Sequence, residues 1–355
     1  MYLLDEALEL WAAIIMQTPT PASPEILALL PAIFPILEQG TDSTAQALHI
    51  IESYILLAPQ EILRNEIRVP LLVSLREPLS YTTKLRTGVV PRLVDMMIRG
   101  AETVDGGSES TYSVISQSLL ESSFLQSILE GLYSAYEASQ TTGPNRKVSN
   151  VVGVVETEYF SVLARLALAS PTIFASAVAA ATNSNQEQSL TWLLTEWFAH
   201  YDNIGSANQK KLHVLALTQL LALQAPSNDH SGPRPPPAFI LNHLQSYLTV
   251  WTDIIVELAE GGTDPNADYL VYWSAPSGSE TANPENSEEV ETPENRRRRE
   301  WESTDAIHRF PIRDFVRQRL EQVIISCGGA QRFQEEWLVN VDSEVVSAFG
   351  ALGLI

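Results

Sequence analysis

The chain has 355 residues, 45% of them apolar, and a formal net charge of −21 from 43 acidic and 22 basic residues. That excess of carboxylates would repel a phosphate backbone and works against an anionic membrane surface, so no nucleic-acid partner is expected, while basic partners are attracted. A single cysteine, Cys327, excludes an internal disulfide and suits a reducing compartment; no apolar run reaches the ~18 residues of a membrane span.

Apolar residues recur at helical spacing from the start. Residues 2–17 carry Leu4, Ala7, Leu8, Trp11, Ile14 and Ile15 on one face. After a break at Thr18–Ala22, Ser23 and Pro24 write a helix start: a capping hydroxyl, then a proline whose missing N–H is not needed in the first turn. Ile26, Leu29, Leu30, Ile33, Phe34 and Leu37 form the next stripe, and Gly40 suits its left-handed stop. Residues 44–58 repeat the pattern with Leu48, Ile51, Tyr54 and Ile55. Pro59 opens a helix holding Ile62, Leu63 and Ile67, with Pro70 as a kink or boundary. The spacing predicts further helices over 80–99, 111–138, 151–169, 171–182, 186–200, 206–224, 238–260, 311–326, 331–339 and 342–353. Ser170–Pro171 and Phe310–Pro311 supply two more starts. Polar loops over 102–111 and 138–150 and a proline-rich one over 226–237 interrupt the series. No strand is expected, since alternating runs are short and the one Asp-Gly pair, Asp105–Gly106, lacks alternating flanks.

Helices of this kind, joined by short links, predict an all-α fold: an α-solenoid of HEAT-like antiparallel helix pairs, an armadillo-like superhelix with a long disordered acidic loop. The lack of an exact period tells against tetratricopeptide and ankyrin repeats and suits HEAT pairs of about 40 residues. A compact helical bundle is the competing architecture. Residues 1–260 are expected to form the repeats, 261–305 an acidic, mostly disordered insert, and 306–355 C-terminal helices closing the solenoid. The insert holds eleven acidic residues and few aliphatics, too little apolar surface to offset its ordering entropy. Its basic run, Arg296–Arg299, reads as solvated and loosely paired with Glu288, Glu289, Glu291 and Glu294 rather than as a nuclear-targeting signal.

Nothing in the sequence assembles a catalytic, metal or cofactor site. Six histidines (His49, His200, His213, His230, His243, His308) are scattered without a His-x-x-x-His pair. There is no Gly-x-Gly-x-x-Gly and no phosphate loop, and serines such as Ser116–Ser118 lack a strand-to-helix elbow. Neither an enzyme activity nor a cofactor is therefore expected. Cys327, beside Val323, Ile324 and Ile325, reads as a small buried hydrophobe. His49 and His213 read as packed or capping residues, and Trp192, Trp197 and Phe198 as helix–helix core. The feature suited to binding is charge. Residues 1–63 contain no Lys or Arg but carry Asp5, Glu6, Glu9, Glu25, Glu38, Asp42, Glu52 and Glu61. This one-signed surface is either a docking wall for a basic protein cargo or a solvated outer face.

Several stretches together resemble a known family. YLLDEALELWAAIIMQTP (residues 2–19) is similar to a late helix of importin 11-type karyopherins, with its Leu-Glu-Leu-Trp core after an acidic stretch, and IIESYILLAPQEIL (50–63) to the helix pair that follows. HYDNIGSANQKKLHVLALTQLL (200–221), DAIHRFPIRDFVRQRL (305–320) and VNVDSEVVSAF (339–349) resemble later segments in the same order, with the acidic insert in its place. The resemblance, to the importin-β superfamily, implies a HEAT-repeat receptor that carries cargo through nuclear pores and releases it on binding GTP-loaded Ran. Basic cargo, Ran and nuclear pore proteins are the implied partners, and nucleus, cytoplasm and nuclear envelope the implied locations. Family members are much longer and bind Ran chiefly through N-terminal repeats, so the chain is expected to be a C-terminal, cargo-binding fragment, an incomplete gene model or a truncated paralogue. The alternative is a non-transport helical scaffold or assembly subunit. In either role, repeat pairs that touch only their neighbours would flex like a spring and offer a long wall to a partner.

Overall fold

Helix starts are written by short polar caps. Ser170 Oγ accepts from the Ile173 N–H ahead of Pro171, and Thr292 Oγ1 accepts from the Asn295 N–H at 3.2 Å ahead of Pro293. Each hydroxyl satisfies an N–H with no partner inside its helix, and each proline brings its fixed φ to the first turn. The computed structural model describes residues 2–354 apart from 85–87, 144–145, 152, 226–233, 261–263, 265–266 and 271–290. Among the described residues all regular structure is helical.

The chain opens with α1 (Tyr2–Gln17), followed by α2 (Pro24–Ala28), a 3-10 turn and α3 (Phe34–Glu38). Next come α4 (Thr44–Leu57), α5 (Pro59–Ile62), α6 (Asn65–Ser74) and α7 (Arg76–Lys84). α8 (Val89–Asp105), α9 (Glu109–Glu121) and α10 (Phe124–Gln140) form the third group, α11 (Val154–Ala169), α12 (Pro171–Ala181) and α13 (Gln186–His200) the fourth. α14 (Ala207–Leu220), α15 (Ala238–Leu241) and α16 (Leu244–Ala259) end the stack. The C-terminal segment holds α17 (Pro293–Ser303), α18 (Ala306–Arg309), α19 (Ile312–Ser326), α20 (Ala330–Glu336) and α21 (Ser343–Gly350).

The architecture is an α-solenoid of HEAT-like antiparallel helix pairs. One row runs α1, α4, α8, α11, α14, α16, each packed on the next; a second runs α3, α6, α9, α12, α13, α15. The C-terminal segment adds a third layer. α17 lies on α1 and α4, α18 on α14, and α19 on α14 and α16, so the chain returns to the start of its own stack and crosses it lengthwise. We call this segment the strap. It sandwiches the first row between two layers, and that row's middle helices are buried all round: Ile50–Leu57 on α4, Tyr159–Ala167 on α11 and Lys211–Thr218 on α14 have no exposed residue. A helix with no solvent face must find internal partners for every polar side chain it carries.

Several boundaries differ from the sequence expectation. The helix expected over 111–138 is two helices, because Ser123 adopts a left-handed backbone (φ 56°) and Ser122 Oγ accepts from the Phe124 N–H. The loop expected over 102–111 shrinks, with α8 running to Asp105 and α9 starting at Glu109. Pro70 sits inside α6. Residues 293–303 of the expected insert are helical, and the rest of that expectation from 271 to 290 lies outside the described residues, as do 226–233 of the proline-rich loop. The absence of a side chain at Gly131 brings α10 close to α11: a Cβ there would meet Tyr159 and Val151 at 2.8 Å.

The core is aromatic at its joints. Tyr54 ties three helices, accepting from Trp11 Nε1 at 3.0 Å and donating to the Ile26 carbonyl at 2.8 Å. Trp197 is wholly buried, stacks on Phe160 at 5.2 Å and donates to His213 Nδ1 at 3.2 Å. Its partner on the same helix, Trp192, is only partly buried, so the three aromatics expected as core divide. Cys327 is buried, as expected. Truncating Trp197 to alanine removes a filled volume where α11, α12, α13 and α14 meet and is expected to cost about 3–5 kcal/mol, read from the urea midpoint at unchanged slope.

Candidate interaction surfaces

Strap and stack meet along a seam of charged groups. At its start, Arg298 on α17 reaches Glu52 of α4 at 2.6 Å and Glu294 of its own helix at 3.1 Å, while Arg92 of α8 lies 3.5 Å from Glu52. Arg297 donates to the carbonyls of Thr18 (2.6 Å) and Ile15 (3.3 Å). α1 has no basic residue in its last turn, so this arginine from the far end of the chain supplies donors to the carbonyls there and complements the negative helix end. Trp301 then lies against Gly100 and beneath the Arg99 guanidinium, 5.1 Å from the ring centre.

The middle of the seam is buried. Arg165 of α11 forks onto both oxygens of Asp305 at 2.6 and 2.7 Å and donates to Asp95 of α8 at 2.7 Å. Arg99 lies 3.3 Å from Asp305 and donates to the Trp301 carbonyl at 2.7 Å. Asp305 also caps α18, accepting from the Ile307 N–H at 3.1 Å. Burial alone would raise the Asp305 pKa, but the charge and hydrogen bonds of Arg165, with help from Arg99, hold it far below the usual carboxylate range. Further along, Lys211 of α14, 1% exposed, donates to the Ile307 carbonyl and lies 2.6 Å from Asp268, which also accepts from the Ile312 N–H at 2.8 Å. Arg319 of α19 reaches Gln219 at 2.6 Å. The segment expected as a loose insert is thus clipped at both described ends, by Asp268 and by residues 291–305.

The structure divides the acidic residues singled out from sequence. Asp5, Glu6, Glu9, Glu25, Glu38 and Asp42 are exposed. Asp5 accepts from Ser43 Oγ at 2.7 Å, which brings it beside Asp42, and Glu38 accepts from Ser74 Oγ at 2.8 Å. Glu52 does not belong to that surface. It is 6% exposed, and although burial alone would raise its pKa, hydrogen bonds from His49 and Arg298 and the charges of Arg298 and Arg92 bring it to about 2. Glu294 is likewise buried and Glu291 pairs with Arg299; Glu288 and Glu289 lie outside the described residues. The arginine run is therefore docked rather than solvated, at Arg297 and Arg298. Among the described residues no cluster of histidines, cysteines and carboxylates has the form of a metal site, and no helix is long and apolar enough to cross a membrane.

With this geometry in view, comparison with known proteins is specific. A family model described as "Importin-11-like, TPR repeats" matches residues 1–354. The chain belongs to the importin-11-like family. The description names tetratricopeptide repeats, whose Trp-x-x-Leu-Gly spacing this sequence lacks; tetratricopeptide and HEAT units alike are stacked helix pairs. Human importin-11 is 24% identical over 352 residues, covering 98% of this chain and 31% of the human protein. Importin beta-like protein kap113 of Schizosaccharomyces pombe is 25% identical over 354 residues, covering 98% and 30%. Among solved structures, that of Lph2, a bidirectional nuclear transport receptor in S. cerevisiae, superposes with a TM-score of 0.68 at 16% identity over 97% of this chain and 33% of that one, which shows a shared fold. This importin-11-like chain spans about a third of the length of these relatives.

The seam of the importin-11-like chain makes two predictions about stability. Asp305→Asn leaves Arg165 and Arg99 buried against a neutral amide and is expected to cost roughly 3–5 kcal/mol. Adding Arg165→Met should cost less than the two single losses summed, because Asp95 and Arg99 remain to balance each other; urea midpoints of the four proteins close the cycle.

The second concerns pH. His213, fully buried on α14, accepts from Trp197 Nε1 at Nδ1, so Nε2 carries the proton and faces Ser161 Oγ at 3.1 Å. A second ring proton would point at the indole N–H. Burial, with the neighbouring charges of His200 and Arg165, pushes the pKa from 6.5 down to about 3. The neutral ring's contribution is complete above the unfolded value of 6.5 and is lost as pH falls from there toward 3. Half-exposed His49, raised by its hydrogen bond to Glu52, works in the opposite direction. Glu158, raised by burial to about 6, also works against the His213 effect, so the check is a difference: from about pH 7 to about pH 5 the urea midpoint of His213→Gln should fall less, or rise more, than that of the parent protein.

Proposed function

We propose that this chain is the cargo-holding, C-terminal part of an importin-type nuclear transport receptor and acts by binding rather than by catalysis. Family membership over residues 1–354 carries the reading, and the charge of −21 supports it. Its surface carboxylates at Asp5, Glu6, Glu9, Glu25, Glu38 and Asp42 face solvent and present negative charge to a basic protein cargo, whereas Glu52 is held by the strap. In this reading the whole receptor moves between cytoplasm and nucleus by way of pore proteins at the nuclear envelope, and GTP-loaded Ran governs release. A second reading, a non-transport scaffold, draws on the strap, which fills one face of the stack.

A short fluorescent oligo-arginine peptide serves as the basic probe. The chain should bind it with an affinity that falls steeply as salt rises, and converting Asp5, Glu6, Glu9 and Asp42 to their amides should weaken binding about tenfold. Binding that ignores both salt and these substitutions would overturn the charge reading. In the complete gene product, GTP-loaded Ran should displace the cargo, while a scaffold would retain it.

A further inference from the structure

The second row of helices carries a groove that the strap leaves open. It lies between α10 and the turn joining α12 to α13, with a volume of about 560 Å³, and its walls include Tyr133, Trp192 and Leu129. The rings form a preassembled cluster. Tyr133 stands edge-on to Trp192 with centres 5.1 Å apart, and Tyr136 lies 6.0 Å from both. Unlike Trp197, which is fully buried five residues further along α13, these rings reach solvent: Tyr133 is 44% exposed and Trp192 partly so. Aromatic faces held by one another offer negative π-surfaces that need no rearrangement to receive a cation.

The rim has matching chemistry. Glu130 sits one turn before Tyr133 on α10, and Gln126 Nε2 donates to its carboxylate at 2.9 Å, holding it at the groove edge. Among the described residues it is the one charged residue lining the groove, and no Lys or Arg does. Across from it, Asn183 is held at φ 51° by the turn after α12, and Gln188 lies in the first turn of α13, its Oε1 accepting from Ser184 Oγ at 2.8 Å. Their amides offer donors and acceptors to a peptide backbone.

We propose that this groove binds an arginine side chain presented on an extended segment of a basic partner protein. The guanidinium stacks on Trp192 and Tyr133 and pairs with Glu130, while Asn183 and Gln188 meet the flanking backbone. Arginine fits better than lysine, because its planar fork both stacks and bridges a carboxylate. The net charge of −21 draws such a segment toward the chain. The inference rests on the reading that the partner is basic, and it adds the place and the side chain recognised.

The test uses the full chain labelled with 5-fluorotryptophan, the Trp192 signal being assigned by Trp192→Phe, and a blocked pentapeptide alternating glycine and arginine. The Trp192 resonance should shift on titration and saturate. The same peptide with norleucine in place of arginine should leave it unmoved, and the lysine version should bind several-fold more weakly. Trp192→Leu should weaken binding about tenfold, and Glu130→Gln should weaken it several-fold and reduce its salt dependence. Tyr133→Leu, at an exposed position, provides the same readout should Trp192→Leu perturb folding by circular dichroism. An equal shift with norleucine would make the groove merely apolar and overturn the proposal. Arginine-peptide binding that bypasses Trp192 and survives these substitutions would overturn the groove and leave the basic-partner reading standing; no binding at all would overturn both.

Discussion

The pairing of Arg165 with Asp305 is the constraint on which the arrangement turns. Arg165 sits mid-way along a helix with protein on every side. A guanidinium there, left alone, would carry a desolvation penalty of several kcal/mol. Asp95 answers one edge of it from the neighbouring helix; the other edge is open until Asp305 arrives from 140 positions away with both oxygens aligned. Asp305 is also the cap of α18, so its position fixes where the strap turns from α17 toward α19. Helix packing alone would tolerate slippage between layers. A bidentate pair that also caps a helix does not, because a small displacement breaks the fork and the cap together.

Most helix positions were legible where a cap or an apolar stripe declared them, although the stripes over 80–99, 111–138 and 238–260 each span two helices. Ser23–Pro24, Pro59 and Ser170–Pro171 each precede a helix in the structure. α17 escaped because its only sizeable apolar residue is Trp301 and its buried residue is a glutamate: it is held by charge, and a stripe-based reading sees only a polar run. A signal was present in Thr292–Pro293, the same hydroxyl–proline start that marked the earlier helices. Glu52 was misplaced for a related reason. A carboxylate on a helix is ordinarily read as solvent-facing, and its partners Arg298 and Arg92 lie too far away in sequence for local spacing to find them. Trp192 shows the opposite error, since helical spacing puts an aromatic among leucines in the core, whereas Tyr133 and the open edge of α10 decide its exposure.

The strap also changes the mechanics expected of a repeat stack. Where each unit touches only its neighbours, stability is a sum of local terms and the array bends freely. Here residues 291–326 connect α1 and α4 with α14 and α16, so bending that separates the ends must work against the seam. Units far apart in the stack are thereby coupled, and loss of one seam contact is felt along the whole first row. The second row carries no such brace among the described residues, and flexibility that helps accommodate a partner is more available there.

Charge sits in two separate settings in this molecule. The seam pairs at Asp305, Lys211 and Glu52 are buried, and counter-ions screen them weakly. The carboxylates at Asp5, Glu6, Glu9 and Asp42 face water, where roughly physiological salt shortens their reach to about 8 Å. Moderate salt should therefore weaken the attraction of a basic partner while leaving the fold in place. Acid does the reverse: it reaches the buried His213 and the seam carboxylates, and so strikes the scaffold that positions the surface. Under the proposed cargo-holding role, release of a partner without unfolding is served by keeping these two sets of charges apart.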